Sequence, residues 1–219
     1  MDPARHALFG CLVALLILGS AAAAHADAGG QKGTVKTSSK VGIPYLSDDQ
    51  VGPAELVQAI RSWRTGGKLL NLDRMLLHSP EFARGWNAMF GAIRNKLSLD
   101  GKLRETAIVA VGVLNDAEYE RVHHEPEYLK AGGTKEQLEA LKTDLAGAEK
   151  NTRLFNPSER ATIALTREMT RNIKVSDATL KQLRSLFDDK QVVELVGTIA
   201  GYNLASRFLI ATGVELEAP

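Results

Sequence analysis

A chain of 219 residues, 44% of them hydrophobic, can bury one sizeable core, so one compact domain is the first expectation. Its 27 Lys and Arg stand against 26 Asp and Glu with no long block of one sign. Charge therefore nominates no nucleic acid and no membrane surface as a partner, and leaves a small-molecule ligand open.

Arg5 and the amino terminus precede an apolar run from Leu8 to Leu18, and small residues then lead to Ala24-His25-Ala26. This is the charged, apolar and A-x-A order of a secretory signal. Residues 1–26 are expected to be a signal peptide, with Asp27 first in a mature chain that is periplasmic or secreted. The apolar run is shorter than the roughly 20 residues that span a bilayer, so no stable membrane span is expected after processing. The single cysteine, Cys11, would leave with the signal. The mature chain then has no disulfide, no thiolate nucleophile and no thiolate metal ligand.

Residues 27–47 are rich in Gly, Ser, Thr and Lys and read as a flexible leader, with the folded domain over 48–219. Gly29, Gly33 and Lys36-Thr37 do not have the spacing of a phosphate loop, and no strand precedes them. From Pro53 the pattern is helical: Leu56, Ile60 and Trp63 share a face before Gly66-Gly67, and a second apolar stretch runs from Leu69 to Leu77. Ser79-Pro80-Glu81 opens another helix with a capping serine, a proline whose missing N–H is harmless there, and an acid near the positive helix end. Phe82, Trp86, Met89, Phe90 and Ile93 form its expected buried stripe.

Asp100 begins a helix that is almost wholly apolar from Ala107 to Leu114, which predicts burial on most sides and a central position. After Asn115-Asp116 a further helix carries Glu118 to Lys130, with Pro126 expected to bend it and Gly132-Gly133 to close it. Thr134 with Gln137, Asn156 with Glu159, and Asp188 with Gln191 have the capping-box spacing, and Ser176 begins one more helix. The last helix is predicted to run to Gly213. No segment has a convincing period of two, so the fold class is all-α, a compact helical bundle.

The candidate chemistry lies in the middle of the chain. By position alone Glu105, one turn before the apolar run, is a solvated helix-start acid; drawn into the core, its pKa would rise with burial and fall beside a histidinium. Glu120 and His124 are four residues apart and meet on one helix face. By spacing alone they read as an ordinary exposed pair, or else as a carboxylate that orients an imidazole for proton transfer near neutral pH. His123, His124, Glu120 and Glu127 have ligand chemistry for zinc or iron. Adjacent helical histidines point roughly 100° apart, however, so the two cannot readily share one ion, and no metal is expected.

The stretch Leu103-Arg104-Glu105, then Glu118-Tyr119-Glu120, then His124, resembles the carboxymuconolactone decarboxylase family and its alkylhydroperoxidase-D-like relatives. The likeness takes in the spacing from Glu105 to His124, the apolar helix between them and the glycine pair after the histidine helix. It extends to Leu77-His78-Ser79-Pro80, to Val192-Val193-Glu194-Leu195, to Tyr202 and to Gly213-Val214-Glu215-Leu216-Glu217. In the peroxidase branch of that family a glutamate, a C-x-x-C pair and a histidine form a proton relay around a redox thiol. Glu105 and His124 match two of those positions, but the cysteine positions fall on Ala117 and Glu120, which removes thiol peroxidase chemistry. The decarboxylase branch is closer, with its glutamate four residues before the histidine.

The resemblance implies an alkylhydroperoxidase-D-like helical bundle assembled as a homo-oligomer, a trimer or hexamer, with a site that needs no organic cofactor. It implies Glu105, Glu120 and His124 as catalytic residues in one pocket, and Tyr119, His123, His78, Trp86 and Tyr202 as substrate contacts. Two functions remain open at this point: cofactor-independent decarboxylation or isomerisation of a small organic acid or lactone, and a non-catalytic ligand-binding or scaffold role on the same fold. No oxyanion site and no carboxylate-binding arginine is identified; Arg104, Arg121 and Arg207 are equivalent in this respect.

Overall fold

A computed structural model describes residues 37–218. The expected signal segment 1–26 and positions 27–36 of the expected leader lie outside the described residues. Among the described residues ten α-helices occur in chain order: α1 (Ala54–Arg61), α2 (Asn71–Leu76), α3 (Pro80–Asn95), α4 (Gly101–Leu114), α5 (Glu118–Lys130), α6 (Lys135–Thr143), α7 (Leu145–Lys150), α8 (Pro157–Asn172), α9 (Asp177–Leu186) and α10 (Asp189–Thr212). Among the described residues there is no β-strand, only one isolated bridge between Ser38 and Pro44. The chain is all-α.

Local capping sets most helix starts. Ser79 accepts from the Phe82 N–H, and the Asp100 carboxylate accepts from the N–H groups of Lys102 and Leu103. The three expected capping boxes form, at Thr134/Gln137, Asn156/Glu159 and Asp188/Gln191, and Ser176 caps α9. α10 ends where Gly213 adopts φ 63, a left-handed conformation that glycine enters without a Cβ penalty. The short α7 had no signal in the apolar pattern; Asp144 ends α6 and caps α7 through the Gly147 N–H.

α4 is central because it divides two apolar clusters. Ala107, Ile108 and Val111 belong to one, with residues of α1–α3 and α8–α10. Val109 and Ala110 belong to the other, with Tyr128, Leu141, Phe155 and Ile163. A helix packed on opposite faces has no solvent side to keep polar, hence its all-round apolar run.

Two apolar expectations need correction. Trp86, Phe90 and Ile93 are buried, but Phe82 and Met89 of the same helix are 46% and 38% exposed, and Trp63 is 50% exposed. Phe82 sits in the first turn, where its ring covers those of Trp86 and Phe208 from outside. Trp63 lies beyond the end of α1, so the α1 face does not govern its direction.

The described part of the expected leader is held against the domain. The Lys40 N–H donates to the Gly213 carbonyl at 2.9 Å, the Glu215 N–H donates to the Tyr45 hydroxyl at 2.9 Å, and Ile43, Tyr45 and Leu46 pack on the larger core. No helix of the described residues is long and apolar enough to cross a membrane.

Candidate functional site

Asn115 and Asp116 reverse the chain between α4 and α5, with Asp116 at φ 52, a conformation that Asp tolerates better than most residues. The two helices then run side by side and close together at Gly112, where an added Cβ would stand 2.9 Å from Arg121 Cγ. This close approach lines α5 up so that His124 meets Glu105 of α4. Their Nδ1 and Oε2 atoms are 2.8 Å apart.

Glu105 is 3% exposed, which corrects the expectation of a solvated acid. Burial alone would raise its pKa, but the hydrogen bond and charge of His124, together with Arg104, outweigh that and hold it below the usual carboxylate value. Arg104 Nε lies 3.1 Å from the second Glu105 oxygen. An ionised carboxylate can only accept, so His124 donates through Nδ1–H. That fixes the tautomer and leaves Nε2 as the nitrogen able to take up or release a proton.

His124 Nε2 faces Glu120 Oε2 at 3.7 Å, too long for a direct hydrogen bond but close enough for one ligand or water oxygen to bridge the two. Glu120 is buried, so the ordinary exposed-pair reading fails. Burial raises its pKa toward the neutral form, with His124 and Arg94 only partly offsetting the rise. The imidazole thus stands between an ionised and a neutral-leaning carboxyl group.

His123 turns away to a different set of partners. Its Nδ1 lies 2.8 Å from the Tyr119 carbonyl and its Nε2 3.2 Å from Glu217 Oε2, and its ring stacks on Tyr119 at 4.3 Å. Glu217 also accepts from the Tyr119 hydroxyl at 2.8 Å and from the Asn71 N–H at 2.7 Å. Burial would raise the Glu217 pKa, but these donors bring it down to about 2, while His123 is raised.

A cleft of about 560 Å³ opens over this array. Of the eight residues singled out from the sequence, Glu105, Glu120, His124, Tyr119, His123, Trp86 and Tyr202 line it. His78 does not. It is exposed and its Nε2 lies 2.7 Å from the Pro44 carbonyl, tying the leader strap to the domain, which corrects its assignment as a substrate contact. Tyr202 sets its ring edge-on to His124 at 5.0 Å. Sequence reasoning missed Arg64 and Arg94, which also line the cleft; their distance in sequence from the Glu/His cluster hid them. Glu127 lines the cleft from an exposed position and pairs with Lys130. Among the described residues, no His, Cys, Asp and Glu set is grouped to hold a metal ion.

The architecture is that of an alkylhydroperoxidase-D-like helical protein, with a histidine between two buried glutamates at its cleft. Residues 80–166, which span α3 to the middle of α8, match the carboxymuconolactone decarboxylase family model. A peroxidase-related protein from Silicibacter sp. TM1040 superposes with a TM-score of 0.69 at 19% identity, over 86% of this chain and 96% of its own. The alkylhydroperoxidase AhpD core protein from Ralstonia eutropha JMP134 gives 0.68 at 18% identity, over 80% and 90%. The debrominase Bmp8 gives 0.66 at 16% identity, over 79% and 90%. At such identities the likeness establishes the fold. No curated protein matches the chain.

Proposed function

We propose that this is an exported, cofactor-independent acid/base enzyme that decarboxylates or isomerises a small organic acid or lactone. The observation that carries the reading is the fixed His124: Nδ1–H donates to Glu105 at 2.8 Å while Nε2 faces the cleft and Glu120. In a decarboxylation the bond to the carboxylate carbon breaks and carbon dioxide leaves. Its electron pair delocalises into a neighbouring carbonyl of the substrate, and His124 returns a proton to the carbon. In an isomerisation the same nitrogen removes a proton from one carbon and returns it to another. Glu105 stabilises the imidazolium form in both cases, and Glu120 can exchange the proton with Nε2 through a bridging water or substrate oxygen.

The family-model match over residues 80–166 and the all-α fold support a small-molecule role. A variant of the debrominase Bmp8, of the same fold, is known in complex with 2,3,4-tribromopyrrole, a flat ring of suitable size for such a cleft. Thiol chemistry has no residue to carry it once the signal is removed, because Cys11, the only cysteine in the sequence, leaves with that segment. The protein acts as a homo-oligomer, trimer or hexamer; Phe82, Met89, Val193, Leu204 and Ile210 leave apolar surface on α3 and α10 for subunit packing.

A screen of lactones, keto acids and quinone-like compounds against wild type and His124→Gln tests the reading. Turnover that is lost in the variant, with the fold retained, supports it. Ligand binding without turnover in wild type would show a binding protein instead. Intact-mass measurement of the exported protein should find Asp27 as the first residue, and light scattering a mass of at least three subunits.

A further inference from the structure

The acid/base reading leaves one wall of the cleft unexplained. Five buried side-chain polar atoms among the described residues have no hydrogen-bond partner, and three of them belong to residues that line this one cleft: Trp86 Nε1, Arg94 Nε and the Tyr202 hydroxyl. All three can donate. Buried donors are almost always satisfied in folded proteins, so a cluster of unsatisfied ones on residues that line one cleft points to an acceptor that arrives from outside.

Arg94 is the distinctive member. Among the other cationic residues lining the cleft, Arg64 is paired with Asp73 at 2.6 Å, Arg104 with Glu105 at 3.1 Å and Lys130 with Glu127 at 2.8 Å, while Lys68 is exposed to solvent. Arg94 makes no ion pair, the carboxyl that feels its charge being the neutral-leaning Glu120, although it is half-buried and its guanidinium carbon lies 5.6 Å from the centre of the Phe90 ring. A partly desolvated guanidinium without a counter-charge is costly unless a ligand supplies one.

Arg94 is also correctly placed. Phe90, one turn before it on α3, packs edge-on to Tyr202 at 5.3 Å, and Tyr202 packs edge-on to His124 at 5.0 Å. Burial raises the Tyr202 pKa, and the charge of Arg94 together with a loose hydrogen-bonding contact to it partly offsets this, so the two groups already face each other without a well-formed bond. An anion between them is tolerated by the opposite wall. Glu120 leans to its neutral form, and the Glu105 charge is already held by His124 and Arg104.

We infer that Arg94 and the Tyr202 hydroxyl form a carboxylate-receiving subsite beside His124, and that the rings of Trp86, Phe90 and Tyr202 select a flat, unsaturated acid. The subsite rests on the acid/base reading only for the chemistry after binding; affinity for the acid stands independently of it. The guanidinium takes the carboxylate with two parallel N–H donors, the hydroxyl gives a third after a small side-chain shift, and the indole N–H meets a second acceptor further along the cleft.

Isothermal titration of the full chain with benzoate and with 2-oxobutanoate, each against its methyl ester, tests this. Wild type should bind the acids about ten-fold or more tightly than the esters. Arg94→Gln should erase that preference, leave ester affinity nearly unchanged and not lower the thermal midpoint, since it removes an unpaired, partly buried charge, and Arg94→Lys should restore part of the preference. Tyr202→Phe should weaken acid binding a few-fold while stabilising the fold, since it deletes an unsatisfied buried hydroxyl. Wild type that prefers neither acid, or an Arg94→Gln protein that keeps the preference, overturns the inference. Should Arg94→Gln do nothing while turnover still depends on His124, the subsite fails and the enzyme reading stands. Acids that bind through Arg94 without any turnover give the reverse result.

Discussion

His124 of α5 and Glu105 of α4 share a 2.8 Å hydrogen bond across the interface of two helices, and this single contact orients the imidazole toward the cleft. The residues should therefore behave as a unit. Glu105→Gln and His124→Gln, singly and together, should give a coupling energy of about 1–3 kcal/mol in denaturant unfolding, and turnover lost in either single variant should not fall further in the double. Because the folded-state pKa of Glu105 is lowered, its contribution is complete above the ordinary value of 4.5 and is lost as pH falls through the folded value. Strict additivity of the two changes would rule the unit out.

Glu120 should show the opposite pH behaviour. Burial raises its pKa, so the folded protein holds this proton more firmly than the unfolded chain does. Its contribution is complete below 4.5 and is lost as pH rises through the raised value. Glu120→Gln, which needs no proton, should gain stability relative to wild type as pH rises from about 4 to about 8, a trend readable in thermal melts, and should lower turnover by about 100-fold. A stability difference that does not change with pH would contradict the raised pKa.

Glu217 ties the carboxy-terminal tail to the outer side of the site. Its folded value of about 2 and the raised value of His123 define a window. The Glu217 part is present above 4.5 and fades as pH falls toward 2; the His123 part is present below 6.5 and fades as pH rises through its raised value. Glu217→Gln should cost most between those limits, about 1 kcal/mol near pH ~5.5, with a smaller cost on either side. Chemical denaturation at three pH values measures it, and a cost that keeps growing into alkaline pH would argue against the pair.

Gly112 tests the helix contact that aligns the site. Gly112→Ala gains about 1 kcal/mol of helix propensity but puts a Cβ 2.9 Å from Arg121 Cγ and 3.6 Å from Glu120 Cβ, so net stability should hardly change. Gly112→Val adds two more methyl groups in the same space and should cost about 1–3 kcal/mol. Turnover should fall in both, since α5 carries Glu120 and His124 away from Glu105. Full activity in Gly112→Val would show that the close approach is not needed.

The helices themselves were legible in the sequence because their signals are local. A capping side chain reaches an N–H three residues away, as Asn156 reaches Glu159 and Asp188 reaches Gln191, and no distant residue is needed to form the contact. The all-round apolar run of α4 likewise announced a helix with no solvent face. Within α5, helix geometry alone put Glu120 beside His124 and sent His123 elsewhere.

Tertiary structure decided what each polar group experiences. Glu105 looked solvated because its own helix start says nothing about the helix that later covers it; α5 and α10, which arrive from further along the chain, bury it and supply His124. His78 sits beside a helix cap in the sequence motif, yet its direction depends on the strap around Pro44, and it never reaches the cleft. Arg94 carried no signal at all, since an arginine four residues after a buried phenylalanine is an ordinary helix pattern. Its lack of a counter-charge can be seen only after the carboxylates of the other helices have been allotted to Arg64, Arg104 and Lys130. Capping and periodicity are fixed over one or two turns of chain, whereas burial and charge pairing are sums over neighbours that only folding brings together.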